Sequence, residues 1–154
     1  KNSYATLLIL FSVISYGQII NFPDPNFKAK LLQPGVAYDF MTETGVTIDA
    51  NNDGDIEVSE LQSVTNLYIS NANITDLTGI SYFTNLKVLI CSHNALQNIV
   101  IDAAITLVQL DASYNQLTAL DVHYDHSGEY DYPTVNLSYN NLTTFAIAPG
   151  QTDY

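Results

Sequence analysis

The apolar positions of this chain repeat. In "VTNLYISNANI" (64–74), "LKVLICSHNAL" (86–96), "LVQLDASYNQL" (107–117) and "YPTVNLSYNNL" (132–142), they fall at the first, fourth, sixth and eleventh places of each copy. The residues are Val64, Leu67, Ile69 and Ile74; Leu86, Leu89, Cys91 and Leu96; Leu107, Leu110, Ala112 and Leu117; Tyr132, Val135, Leu137 and Leu142. Alternation through the fourth and sixth places predicts a short strand in the middle of each copy, with one row of side chains facing a shared interior. The ninth places, Ala72, Asn94, Asn115 and Asn140, recur at intervals of 22, 21 and 25 residues.

A second row follows the first. Leu77, Ile99, Leu120 and Phe145 come three places after the eleventh, and Ile101, Val122 and Ile147 two places later, which predicts a short extended segment on an outer wall. Burying one Leu or Ile contributes roughly 1.5 to 3 kcal/mol, too little for a single copy to offset its own ordering entropy. A stack of copies can do so, because each buries its row against its neighbours.

These residues resemble the leucine-rich repeat, L-x-x-L-x-L-x-x-N-x-L, with a period of roughly 20 to 29 residues. The resemblance covers about 64–147. It implies a leucine-rich repeat solenoid, α/β by convention, made mostly of short parallel strands with extended outer segments. It also implies that Asn94, Asn115 and Asn140 bond backbone groups where the chain leaves the strand. Ala72 breaks that row in the first copy, where a cap is expected to sit.

Ahead of the repeats, "PDPNFKAKLLQPG" predicts one short helix. Asp24 is placed to cap it, Pro25 suits the first turn, Pro34 and Gly35 stop it, and Phe27, Leu31 and Leu32 would be its apolar face. "AYDFMTETGVTI" predicts a loop running into a short strand. The start, "KNSYATLLILFSVISYG", joins a basic residue to an apolar run too short to span a bilayer and to small residues before Gln18. It reads as a secretory signal over 1–17, which places the mature chain outside the cytoplasm. The expected organisation is then a helical N-terminal cap over 18–63, four repeats over 64–147 and a truncated end over 148–154.

Charge narrows the partners. Sixteen acidic residues against four lysines give a net charge of -12, which repels nucleic acid and anionic membrane surfaces. A single cysteine excludes a disulfide framework and a multi-cysteine zinc site. Cys91 sits at an inward place, where a thiol packs as a small hydrophobe.

Much of the acid is concentrated in "DANNDGDIEVSE" (49–60), five carboxylates around one glycine. The stretch matches D-x-[DN]-x-[DN]-G-x5-E and resembles an EF-hand loop. That resemblance implies calcium as cofactor, with side-chain oxygens from Asp49, Asn51 and Asp53, the carbonyl of Asp55, a water-bridged contact from Glu57 and both oxygens of Glu60. Gly45, Val46 and Thr47 stand where an entering helix belongs, and only about 59–63 remain for an exit helix, so a sensor that works by changing an interhelical angle does not fit. A brace between the cap and the first repeat fits better, with a dissociation constant on the order of 10⁻⁴ to 10⁻³ M.

Outward strand places supply a candidate concave face: Tyr68, Ile90, Asp111 and Asn136 at the fifth, and Asn71, His93, Tyr114 and Tyr139 at the eighth. Ser70, Ser92, Ser113 and Ser138 lie between them. Mixed aromatic and polar groups on a curved sheet suit protein or glycan contact. His123, Asp125 and His126 fall in the longest spacer, at a spacing that fits no zinc motif, and read as a solvated insertion. With no catalytic constellation in the sequence, the expected role is a non-catalytic, calcium-braced extracellular adhesion or recognition module. The alternative is an accessory arm of a larger secreted hydrolase. The signal, cap and short repeats together resemble exported surface proteins of Gram-negative bacteria, in which a C-terminal sorting domain often follows.

Overall fold

A computed structural model describes residues 17–101, 105, 107–120 and 134–143. Helix α1 spans Pro25–Leu31, and Asp24 caps it as expected, with Oδ1 accepting the amides of Asn26 (2.8 Å) and Phe27 (3.1 Å). Phe27 and Leu31 are buried, and Phe22 packs edge-on against Phe27 at 5.3 Å. Leu32 departs from the expected apolar face. The helix ends one residue earlier, Leu32 becomes its C-cap, and its side chain is 40% exposed.

The next segment forms two strands where the sequence predicted a loop and one strand. β1 (Ala37–Asp39) and β2 (Thr44–Val46) make an antiparallel hairpin, and β1 also pairs antiparallel with the first repeat strand. Without β1 that repeat strand would present a row of unpaired backbone groups, and the hairpin covers it.

The repeats form as the apolar rows require. β3 (Asn66–Tyr68), β4 (Val88–Ile90), β5 (Gln109–Asp111) and β6 (Thr134–Asn136) are parallel, with Leu67, Leu89, Leu110 and Val135 in one register line. These four are the fourth places of the four copies. The sheet is open, in the order β2-β1-β3-β4-β5-β6, an arrangement compatible with a solenoid. Every inward place of the first three copies is buried, while Val135, Leu137 and Leu142 of the fourth are partly buried against them.

The outer row is buried at Leu77, Ile99, Ile101 and Leu120. Its first copy is not simply extended, since a 3-10 helix covers Ile80–Tyr82 and buries Ile80. Gly79 starts that turn at φ 105°, and a Cβ there would meet the Phe22 ring at 2.7 Å. A glycine is required on both counts.

The ninth-place asparagines work across copies. Asn94 Oδ1 accepts the amides of Ala72 (3.1 Å) and Ile74 (3.0 Å), and its Nδ2 donates to the carbonyls of Ile69 and Cys91. Asn115 accepts the Leu96 amide and donates to Cys91 and Ala112, and Asn140 accepts the Leu117 amide and donates to Ala112 and Leu137. Each Asn thus serves the copy before its own. Ala72 has no preceding copy to serve, which explains its identity.

Candidate functional site

The outward face is shaped by an unusual backbone rule. All four eighth places are left-handed: Asn71 at φ 56°, His93 at 55°, Tyr114 at 54° and Tyr139 at 58°. The conformation costs non-glycine residues about 1 to 2 kcal/mol, least for Asn. Here it lets each amide step to the next copy, from Asn71 to the Ser92 carbonyl, His93 to Ser113 and Tyr114 to Ser138. It also aligns the side chains. His93 stacks on Tyr114 with centroids 4.2 Å apart and planes 9° apart, and Tyr114 stacks on Tyr139 at 4.1 Å and 13°. Such pairs contribute about 0.5 to 1.5 kcal/mol each, which offsets part of the backbone cost. The three rings form an exposed ladder, and Tyr139 is 70% exposed. Hydrogen bonding of the Tyr114 hydroxyl with Tyr139 raises the Tyr114 pKa.

The fifth and seventh places are coupled. Asp111 Oδ1 accepts the Ser113 amide (3.0 Å) and hydroxyl (2.7 Å), and Asn136 Oδ1 does the same for Ser138. Where the fifth place is Tyr68 or Ile90, the serines turn to each other, with Ser70 and Ser92 hydroxyls 3.0 Å apart. Part of the hydrogen-bonding capacity expected for partners is therefore used within the sheet. Tyr68 stands edge-on to Tyr38 at 5.5 Å, and Ile90 is half-buried. Tyr38 was not legible as part of this face, because its place depends on the unforeseen hairpin.

The acidic loop coils on its own amides. Asp49 accepts from Asp53 (3.1 Å) and Gly54 (3.0 Å), Asn51 Oδ1 from Asp53 (2.9 Å), and Asp53 Oδ1 from Asp55 (2.9 Å). Glu60 closes the loop by accepting the amides of Ala50, Asn51 and Glu57. Asn52 and Gly54 take the left-handed conformation that makes the coil tight, at φ 58° and 85°. The Asp55 carboxylate leaves the group and pairs with Lys28 at 3.0 Å. Glu57 and Glu60 form a capping box on the 3-10 helix Val58–Leu61, which stands in place of the exit helix. Hydrogen bonding to Glu60, desolvation, and repulsion from Glu60 and Asp53 raise the Glu57 pKa.

The oxygen-only donor set fits a hard cation in kind. As placed, however, the oxygens close on backbone amides, and among the described residues no group of three or more His, Cys, Asp or Glu side chains converges enough to hold a metal ion. Cys91 is fully buried, and burial together with the Asp111 charge pushes its pKa up to about 12, so it stays a thiol. His123, Asp125 and His126 lie outside the described residues, as do Tyr132, Val122, Phe145 and Ile147 and residues 1–16 of the segment expected as a signal over 1–17.

A further carboxylate that the sequence suggested only as a cap joins cap and repeats. Asp24 Oδ2 accepts the Thr75 amide (2.7 Å), the Thr75 hydroxyl (2.8 Å) and the Asp76 amide (3.1 Å). Burial to 5% exposure opposes its ionisation, yet the bonds from Thr75, Phe27 and Asn26 outweigh burial and lower its pKa.

The chain matches no protein-family model and no curated protein sequence. Among solved structures it is similar to one described as "Functional domain of InlJ from Listeria monocytogenes includes a cysteine ladder", at 26% identity and a TM-score of 0.49. The match covers 91% of this chain and 27% of that one, so the chain spans about a quarter of its length. Among the described residues, no helix is long and apolar enough to cross a membrane.

Proposed function

We infer that this chain is a leucine-rich repeat solenoid acting as a non-catalytic recognition module at a cell surface or outside the cell. The observation that carries the reading is the His93–Tyr114–Tyr139 ladder on the outward face of a sheet built from in-register repeats. Tyrosines supply large contact area with few rotatable bonds, and they are enriched where protein interfaces concentrate their binding energy. Face-to-face stacking covers the ring faces within the ladder and leaves its ring edges exposed. That geometry favours protein partners over glycans, which stack on open ring faces.

Calcium bracing belongs to the same reading, with Asp49, Asn51, Asp53, Glu60, the Asp55 carbonyl and, through water, Glu57 as the groups that would hold the ion. An ion there would supply positive charge against the Glu60 and Asp53 carboxylates, whose repulsion adds to the Glu60 hydrogen bond and desolvation that raise the Glu57 pKa. The binding reading is tested by presenting the chain to arrays of extracellular proteins and glycans, beside the double variant Tyr114→Ala, Tyr139→Ala. The expected outcome is at least a tenfold loss of affinity on a protein target, equivalent to about 1.4 kcal/mol, with an unchanged circular dichroism spectrum. Retained binding by the double variant would remove the ladder as the contact surface.

A further inference from the structure

The cap end of the same face carries a pocket that neither the ladder nor the acidic loop uses. It is an open depression of about 430 Å³ between the β1–β2 turn and β3, lined by Tyr38, Asp39, Phe40, Glu43, Asn66 and Tyr68. Tyr38 and Tyr68 stand at 88° to one another, so the walls face in two directions, and Phe40 adds a third aromatic ring. Asp39 and Glu43 are its charged lining residues. Asp39 is fixed by the turn, its Oδ1 accepting the Met41 and Thr42 amides at 2.8 Å and 3.4 Å. Glu43 occupies a left-handed position at φ 52°, where Gly or Asn is easier to place. Among the described residues, no lysine lines the pocket; Lys87 lines a neighbouring depression that shares Asp39 and Phe40.

Aromatic faces at an angle beside carboxylates recognise a cation on an apolar stem, since the rings attract the charge and cover the methylenes. A chain of net charge -12 also draws basic protein surfaces toward it. We propose that this pocket takes the ammonium side chain of an unmodified lysine on a basic protein partner. The proposal rests on the outward face being a binding surface and names the chemistry that its cap end selects.

The test is an NMR titration of the whole chain with Nα-acetyl-lysine amide, its ε-acetylated form and choline. The lysine amide should shift the resonances of Tyr38, Asn66 and Tyr68, with a dissociation constant on the order of millimolar. Glu43→Gln and Asp39→Asn, which keep side-chain shape and the turn's acceptor, should each weaken it about threefold, as expected for partly exposed charges. Tyr114→Ala should leave it unchanged, so loss of array binding by the ladder variants and loss of lysine binding are separate outcomes. Equal affinity for the neutral ε-acetyl form, shifts centred on 49–60, or no shift would each overturn the proposal. Choline binding more tightly than the lysine amide would overturn the lysine assignment in favour of a quaternary ammonium headgroup.

Discussion

Two acidic features of the cap differ in a way that charge count alone does not reveal. Asp24 is one carboxylate, 5% exposed, holding five donors drawn from α1 and from the first repeat's outer segment. The 49–60 loop has five carboxylates, but Asp49, Asp53, Glu57 and Glu60 bond within the loop, and only Asp55 reaches out, to a half-exposed lysine. A carboxylate joins two parts of a fold when its donors come from both parts. The loop stiffens itself, whereas Asp24 connects cap to repeat.

The sharpest way to break this comparison is Asp24→Asn. Asn caps helices about as well as Asp, so the substitution spares α1 and places an amide against the Thr75 and Asp76 donors. The expected loss is about 2 kcal/mol, and about 3 kcal/mol for Asp24→Ala, where the cap goes as well. Urea unfolding would measure both, and an Asn variant within about 0.5 kcal/mol of wild type would show that Thr75 is no anchor. The acid limb gives a second reading. Because the folded pKa of Asp24 lies below its ordinary 3.8, its contribution is complete above that value and is lost as pH falls through the lowered one. Both variants should lack that part of the acid transition.

The same contrast shows what the sequence could carry. Leu67, Leu89, Leu110 and Val135 were legible as one register line because burial enforces a period, and Asn94, Asn115 and Asn140 were legible because their role recurs with it. The Asp24 cap was legible for the same reason: its partners are two and three residues away. Its grip on Thr75, 51 residues on, has no local trace. The hairpin was half-read because β1 exists only to cover β3, a need set by tertiary structure. The left-handed eighth places were hidden at Tyr114 and Tyr139, since Tyr rarely adopts that conformation and nothing in "SYN" announces the stacking that sustains it.

Glu60 tests the loop. Glu60→Ala removes the acceptor for the Ala50, Asn51 and Glu57 amides, so it should cost about 1.5 kcal/mol even with chelator present. A melting change on its own therefore says nothing about calcium; the difference between calcium and chelator does. If an ion binds, wild type should gain about 1.4 kcal/mol at ten times its dissociation constant, and Glu60→Ala should gain nothing. The gain should shrink in acid. Glu57, with its pKa raised above 4.5, favours folding only once protonated, and that advantage is lost as pH rises through the folded value, where a cation would take over. Identical melting of wild type with calcium and with chelator would end the brace reading.

The smallest expected effect is at Lys28, the loop's ion pair with the rest of the cap. Its side chain is 33% exposed and that of Asp55 is 47% exposed, so solvent screens the 3.0 Å contact and holding two flexible groups costs entropy. Lys28→Met keeps the stem over α1 and removes the charge, and should change stability by less than about 0.5 kcal/mol, falling further in high salt. The value matters more than its size suggests, because this pair is where the loop's carboxylates reach beyond the loop. A loss near that of Asp24→Asn would mean that the acidic loop is anchored across the cap after all, and the two features would then differ in degree instead of in kind.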